Sequence, residues 1–149
     1  MKRWVFRLFI LLCVVAVGIQ LVPVDRTNPP VTGEIDAPDQ VMAALRTACY
    51  DCHSNETVWP WYSLVAPVSW RIAGHVRMGR GNVNFSEWES MSVEDREEAM
   101  GDIWEKVERG TMPLSDYLRM HPEAVLTEPQ REALRRWSEG QAPEFPDWN

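Results

Sequence analysis

Apolar residues recur at helical spacing in four stretches of the chain after residue 35. The first stretch runs to Cys49, and Asp36 stands where it can cap the start of a helix. The second covers residues 67–78, with Gly79 and Gly81 following as stop signals. We therefore expect two helices here, separated by a long connecting segment.

The third and fourth stretches lie in the last third of the chain. The third covers residues 92–110 and ends at a glycine. The fourth covers 127–140 and opens with Thr127 and Gln130, which have the spacing of a capping box. No stretch alternates with period two, and residues 54–66 show no regular period at all. The pattern predicts a small all-α domain with one irregular segment.

A different pattern occupies the start of the chain, where residues 8–19 carry neither charge nor proline. Residues 4–24 are long enough to cross about 30 Å of hydrocarbon. The best small-x-small cleavage site, at 16–18, cuts the apolar run in the middle, so an uncleaved anchor is favoured over a cleaved signal peptide. The three charges of this region are basic: Lys2, Arg3 and Arg7. Basic flanks stay in the cytoplasm, so we expect a single-pass inner-membrane protein whose domain lies on the periplasmic side.

Three regions follow from this pattern: an anchor or signal at 1–24, a linker at 25–38 and a domain at 39–149. The linker carries three prolines and a glycine and is expected to hold the domain away from the membrane as an extended spacer. Only 12 of the 15 basic residues lie beyond Pro23, together with all 22 acidic ones, which gives a net charge of −10 there. This charge disfavours nucleic acid and favours partner proteins with a basic docking face.

The candidate chemistry lies in the sequence Cys49-Tyr50-Asp51-Cys52-His53. Cys-x-x-Cys-His is the attachment motif of c-type haem, in which both thiols bond the porphyrin and the histidine binds iron. Three alternatives use the same residues: a thioredoxin-like dithiol, a zinc site and a structural disulfide. The first lacks a βαβ context, and the second lacks another compact pair of ligands. The third closes a loop of only four residues. We therefore expect one covalent haem c.

Several short motifs, in order along residues 36–140, resemble the exported bacterial haem-binding domain family. The motifs are Cys49–Asn55, Trp59–Ser63, Ala66–Trp70 with His75, Gly79-Arg80, Asn84–Trp88, Gly110–Pro113, Tyr117 and His121-Pro122. The resemblance implies a helical, cytochrome c-like domain around one haem. It implies no particular partner or reaction.

Further residues are candidates for contact with the haem, and each also has an ordinary structural explanation. Four aromatic residues are candidates for the haem wall, although any aromatic core has the same composition: Trp59, Trp61, Tyr62 and Trp70. Four others are candidates to contact the haem propionates, although such side chains are often simply solvated: Arg71, Arg77, Arg80 and Tyr117. His121, in a turn-like stretch before Pro122, is expected to be structural or exposed.

The sixth ligand of the iron is expected to be Met112, in a stiff loop between Gly110 and Pro113. His75, on the apolar face of its predicted helix, is the alternative, and a third possibility is that no side chain binds there.

We expect an electron carrier and not an enzyme, because a six-coordinate iron leaves no open position for substrate. Two alternatives remain. One is a peroxidase or gas sensor with a displaceable sixth ligand, and the other is a haem subunit of a membrane complex.

Overall fold

The computed structural model describes residues 2–140 and shows helices connected by turns and extended segments. The α-helices are α1 (Lys2–Gly18), α2 (Asp39–Ala48), α3 (Tyr50–His53), α4 (Val68–Asn82), α5 (Val93–Glu108), α6 (Ser115–Met120) and α7 (Glu128–Ser138). Short 3₁₀ turns occupy Ile19–Leu21, Trp61–Leu64, Trp88–Ser90 and Pro122–Ala124. The predicted all-α class is confirmed. The final part of the predicted domain, residues 141–149, lies outside the described residues.

The two later helices begin at their predicted positions. The Ser92 hydroxyl accepts a hydrogen bond from the backbone N–H of Asp95 at 3.0 Å, which satisfies one free donor of the first turn of α5. At α7, the side-chain oxygen of Gln130 accepts from the backbone N–H of Thr127 at 2.9 Å. Gly110 ends α5 with a φ of +64°, a conformation that glycine adopts without strain.

The two earlier helices differ from their predicted bounds. Asp36 lies outside α2, and the residue before the helix is Pro38, which makes no side-chain cap. Helix α4 continues through Gly79 and Gly81 to Asn82 instead of ending at Met78. Packing explains the extension, because α4 lies against α3 at Gly79. Tertiary contact therefore outweighs the weak helix propensity of glycine.

The hydrophobic core forms where α7 packs against both α2 and α5. Its fully buried side chains include Val41, Leu45, Phe85, Val107 and Leu134. Trp88 adds a large buried ring, with its centroid 6.2 Å from that of Trp137 on α7. Helix α3 continues directly from α2, so the core fixes the position of the Cys-x-x-Cys-His turn.

Residues 25–38 are extended as predicted, but they lie along the domain and are not a free spacer. The backbone N–H of Ile35 donates to the Phe85 carbonyl at 2.8 Å, and those of Thr32 and Gly33 both donate to the Ser86 carbonyl at 3.0 Å. Ile35 is 3% exposed and belongs to the core. The backbone N–H groups of an extended segment need partners outside it, and here the domain supplies several of them.

Helix α1 with its final turn spans Lys2–Leu21 and has a mean hydropathy of 2.3, which is apolar enough to cross a membrane. No residue of α1 is buried against the domain. The end of this segment does contact the domain. The Gln20 side chain donates to the Ala66 carbonyl at 3.2 Å and accepts from the Ala66 N–H at 2.9 Å.

Candidate functional site

The Cys-x-x-Cys-His sequence forms one helical turn at the end of α2. The backbone N–H groups of Cys52 and His53 both donate to the carbonyl of Cys49, at 3.1 and 2.9 Å. Both cysteines are partly buried, and neither forms a disulfide. The turn therefore presents two free thiols and an imidazole from five consecutive residues.

Burial controls the protonation of these thiols. It raises the pKa of Cys49 to about 12 and, with the nearby Asp51 carboxylate, that of Cys52 to about 11. Both thiols are therefore protonated at neutral pH. Within residues 2–140 no group of three or more His, Cys, Asp or Glu side chains lies close enough together to hold a metal.

The imidazole of His53 is oriented by the chain that follows α4. Its Nδ1 lies 3.2 Å from the Val83 carbonyl, which can only accept, so Nδ1 carries the proton and Nε2 keeps its lone pair. Burial lowers the pKa of His53, which keeps the ring neutral. The backbone carbonyl of His53 also accepts from the Phe85 N–H at 2.8 Å. A carbonyl bonded to one ring nitrogen is the usual support of a metal-binding histidine.

Helix α4 approaches the motif without a side chain between them. A Cβ placed on Gly79 would lie 2.3 Å from the carbonyl oxygen of Cys52. His75 lies one turn before Gly79 on the same helix and is half-buried. Sequence analysis interpreted Gly79 as a helix stop. Its role in the close approach of α4 to Cys52 was missed, because a glycine gives the same sequence signal whether it ends a helix or allows another segment to pack closely against the helix.

Asp51, inside the motif, organises the surrounding polar groups. Its carboxylate accepts from the Tyr117 hydroxyl at 2.8 Å and from the Val58 N–H at 3.0 Å. Its carbonyl accepts from the Thr57 hydroxyl at 2.8 Å. Burial and the hydrogen bond to Asp51 raise the pKa of Tyr117, which therefore stays neutral. Sequence analysis gave no role to Asp51, since nothing in its surroundings distinguishes it from a solvated acid.

His121 is held by both ring nitrogens. Its Nδ1 lies 2.9 Å from a Glu123 carboxylate oxygen, so it donates there, and its Nε2 accepts from the Tyr62 hydroxyl at 2.6 Å. The ring stacks on Tyr117 at a centroid distance of 4.3 Å. His121 therefore has a structural position, with neither nitrogen available to a metal.

The three candidate arginines occupy different surroundings. Arg80 donates to four oxygens of the segments before and after the motif: Ser54 O, Thr27 O, Asn28 Oδ1 and Thr57 Oγ1. Arg71 pairs with Asp116 on α6 at 2.7 Å, while Arg77 is exposed. The Arg80 guanidinium thus fixes the extended segment to the domain, whatever else it contacts.

The candidate aromatic residues do not form one wall. Trp59 and Trp70 border a groove between α4 and residues 23–27, whose lining, as far as the structure describes it, contains no residue of the Cys-x-x-Cys-His turn. Trp61 is 72% exposed and packs edge-to-face against Tyr62 at 5.7 Å. Tyr62 is connected to the motif through its bond to His121, which stacks on Tyr117, the hydrogen-bond partner of Asp51.

Met112 lies in the loop between α5 and α6. The backbone N–H groups of Thr111 and Met112 both donate to the carbonyl of Lys106, at 3.0 and 3.2 Å, which folds the loop back on the end of α5. The Met112 side chain is 37% exposed.

An all-helical domain that presents two free thiols and a neutral, oriented imidazole on one turn has the donor set of a haem protein. Residues 14–140 match the haem-binding domain family, and the chain belongs to this family. The family resemblance inferred from the sequence motifs is thereby confirmed, and the protein binds haem. No curated protein and no solved structure matches the chain.

Proposed function

We propose that this haem protein is a monohaem c-type cytochrome, tethered to the membrane by α1, that carries electrons outside the cytoplasm. The observation that carries the proposal is the Cys49–His53 turn, with two unpaired thiols and a histidine whose Nδ1 is fixed by Val83. Both thiols are unpaired and partly buried, which leaves them able to react with an apolar partner.

The covalent attachment needs no oxidant. Cys49 and Cys52 would hold the haem covalently, each S–H adding across one vinyl C=C bond so that sulfur bonds one carbon and hydrogen the other. His53 would hold the iron through Nε2, and the Val83 carbonyl would increase the electron donation of the ring by accepting a hydrogen bond from Nδ1–H. When bound, the iron supplies one-electron exchange between its ferrous and ferric states.

Met112 is our proposed sixth ligand. The two hydrogen bonds from its loop to Lys106 hold the backbone in place, while the thioether stays accessible at the surface of the protein. A thioether raises the reduction potential relative to a second histidine, and full coordination excludes substrate from the iron. His75, half-buried on α4, is the alternative ligand.

The ligand assignment predicts that Met112→Ala abolishes the weak methionine-to-iron charge-transfer band of the oxidised protein and admits carbon monoxide to the reduced iron. Absorption spectra of the wild type and the variant, with and without carbon monoxide, measure both effects. Met120→Ala is the matched control, because Met120 is also exposed, on neighbouring α6, and is expected to leave the spectrum unchanged.

Two outcomes would change the proposal in different ways. An unchanged spectrum for Met112→Ala, together with carbon monoxide binding by His75→Ala, would make the iron bis-histidine while preserving electron transfer. Rapid carbon monoxide binding by the wild type would overturn the electron-carrier proposal and favour a gas-binding or peroxidase function.

The tether is supported by the 20-residue apolar segment Lys2–Leu21 and by the basic residues at its start. We expect the full-length protein to remain in the membrane fraction after an alkaline carbonate wash. The acidic fragment that begins at Pro23 should be soluble after export. Native protein that is free in the periplasm and begins near Gly18 would instead identify residues 1–18 as a cleaved signal.

The acidic surface of the domain suits a redox partner with a basic docking face. A net charge of −10 beyond Pro23 accelerates encounter with such a partner at low salt, and added salt screens the attraction. A haem subunit of a larger membrane complex would use the same iron chemistry. It would copurify with its partners in mild detergent.

A further inference from the structure

Residues 57–70 form a segment without a single charged side chain or histidine, in a domain that is otherwise rich in acids. Three tryptophans, a tyrosine and several aliphatic residues fill it. Its most exposed large apolar side chains are Val58, Trp61, Leu64, Val65 and Val68, with 73%, 72%, 62%, 47% and 45% of their surface accessible. We call residues 58–68 the apolar loop. So much exposed apolar surface in one place marks an interaction site.

The apolar loop is joined directly to the end of the membrane segment. The Gln20 side-chain amide makes both a donated and an accepted hydrogen bond with the backbone of Ala66, and Arg26 donates to the Ser63 carbonyl at 3.3 Å. Gln20 is the first polar residue after the apolar run of α1. Leu64 is two residues from Ala66, so no more than about 7 Å of chain separates them.

These distances match the dimensions of a bilayer. The polar interface on each side of the hydrocarbon is about 5–8 Å thick, and tryptophan and tyrosine concentrate there. The loop backbone is also suited to this layer, because the N–H groups of Ser63, Val65 and Ser69 donate to carbonyls within the segment. Paired backbone groups lower the cost of leaving water.

We infer that the apolar loop inserts into the lipid interface beside the end of α1, so that the domain lies on the membrane in one fixed orientation. The inference rests on the proposed membrane tether. The occupant of this surface is lipid, and because residues 57–70 carry no charge, insertion does not depend on anionic headgroups.

Lipid crosslinking in the full-length holoprotein tests the inference. The photoreactive residue p-benzoylphenylalanine is introduced singly as Leu64→p-benzoylphenylalanine, Val93→p-benzoylphenylalanine or Leu11→p-benzoylphenylalanine. Val93 is the matched control, since it is 64% exposed at the start of α5, and Leu11 reports on the membrane segment itself. Each variant is irradiated in bilayers of phosphatidylcholine alone and of phosphatidylcholine with phosphatidylglycerol, and adducts are identified by mass.

We expect phospholipid adducts at Leu64 and Leu11, in equal yield in both bilayers, and none at Val93. Adducts at Leu11 but not at Leu64 would overturn the inference while the tether stands. An adduct of Leu64 with the porphyrin or with a second protein copy would also overturn the inference while the tether stands. Absence of lipid adducts at Leu11 would overturn the tether and, with it, the inference. A strong increase in the Leu64 yield with phosphatidylglycerol would contradict insertion of an uncharged loop.

Discussion

Replacing both motif cysteines, as Cys49→Ala with Cys52→Ala, is expected to yield a protein without covalent haem. In the wild type, acid–acetone extraction should leave the colour with the polypeptide, because two thioether bonds resist the solvent. Either single substitution should leave one weaker attachment or apoprotein. Cys13→Ala is the matched control, since Cys13 lies exposed on α1, and it should retain the full haem content.

The same double variant is expected to lose most of its folded structure, because we expect the haem to supply much of the apolar contact around α3 and α4. Far-ultraviolet circular dichroism measures the loss. A wild-type protein whose colour passes into the acetone would show that the haem is not covalent. A well-folded apoprotein would show that the helices pack without the cofactor.

Gly79→Ala is expected to have the second large effect. Its added methyl group would lie 2.3 Å from the Cys52 carbonyl oxygen, so α4 must move away from the motif turn. Overpacking of this kind costs about 1–3 kcal/mol, which exceeds the gain of about 1 kcal/mol from better helix propensity. We expect a lower midpoint of thermal unfolding and a lower yield of covalent haem.

Gly81 provides the control for this prediction. It lies in the same helix, two residues later, and an added Cβ would meet no atom within 4 Å. Gly81→Ala should therefore stabilise the protein by up to about 1 kcal/mol, through helix propensity alone. Equal stabilisation by both substitutions would show that α4 does not pack directly against Cys52.

Local signals predicted the later helices well, because a cap is formed by residues three apart. Thr127 with Gln130 illustrates this. Predictions of helix ends were less accurate where the helix contacts residues that are distant in the sequence. The stop signals at Gly79 and Gly81 were overridden by contact with α3, which no local pattern reveals.

The site shows the same division between local and distant information. The Cys49–His53 motif is local and could be identified from the sequence. The support of His53 by Val83 and the bonds of Asp51 to Tyr117 join residues 30 and 66 positions apart. Composition likewise favours haem contact for every aromatic residue, whereas only the fold separates Tyr62, near the motif, from Trp59 and Trp70 at the groove.

The backbone of Phe85 has a consequence for how this protein can be shortened. Its carbonyl accepts from Ile35, and its N–H donates to the carbonyl of His53. The extended segment 25–38 is thus two hydrogen bonds from the backbone of His53, and it helps to hold His53 in place. A version of the protein that starts at residue 39 would lose the hydrogen bond from Ile35 to Phe85, and the backbone of His53 would be held less rigidly. Soluble versions of the domain should begin no later than Asp25, and a displacement of segment 25–38 would be transmitted through Phe85 to the backbone of His53.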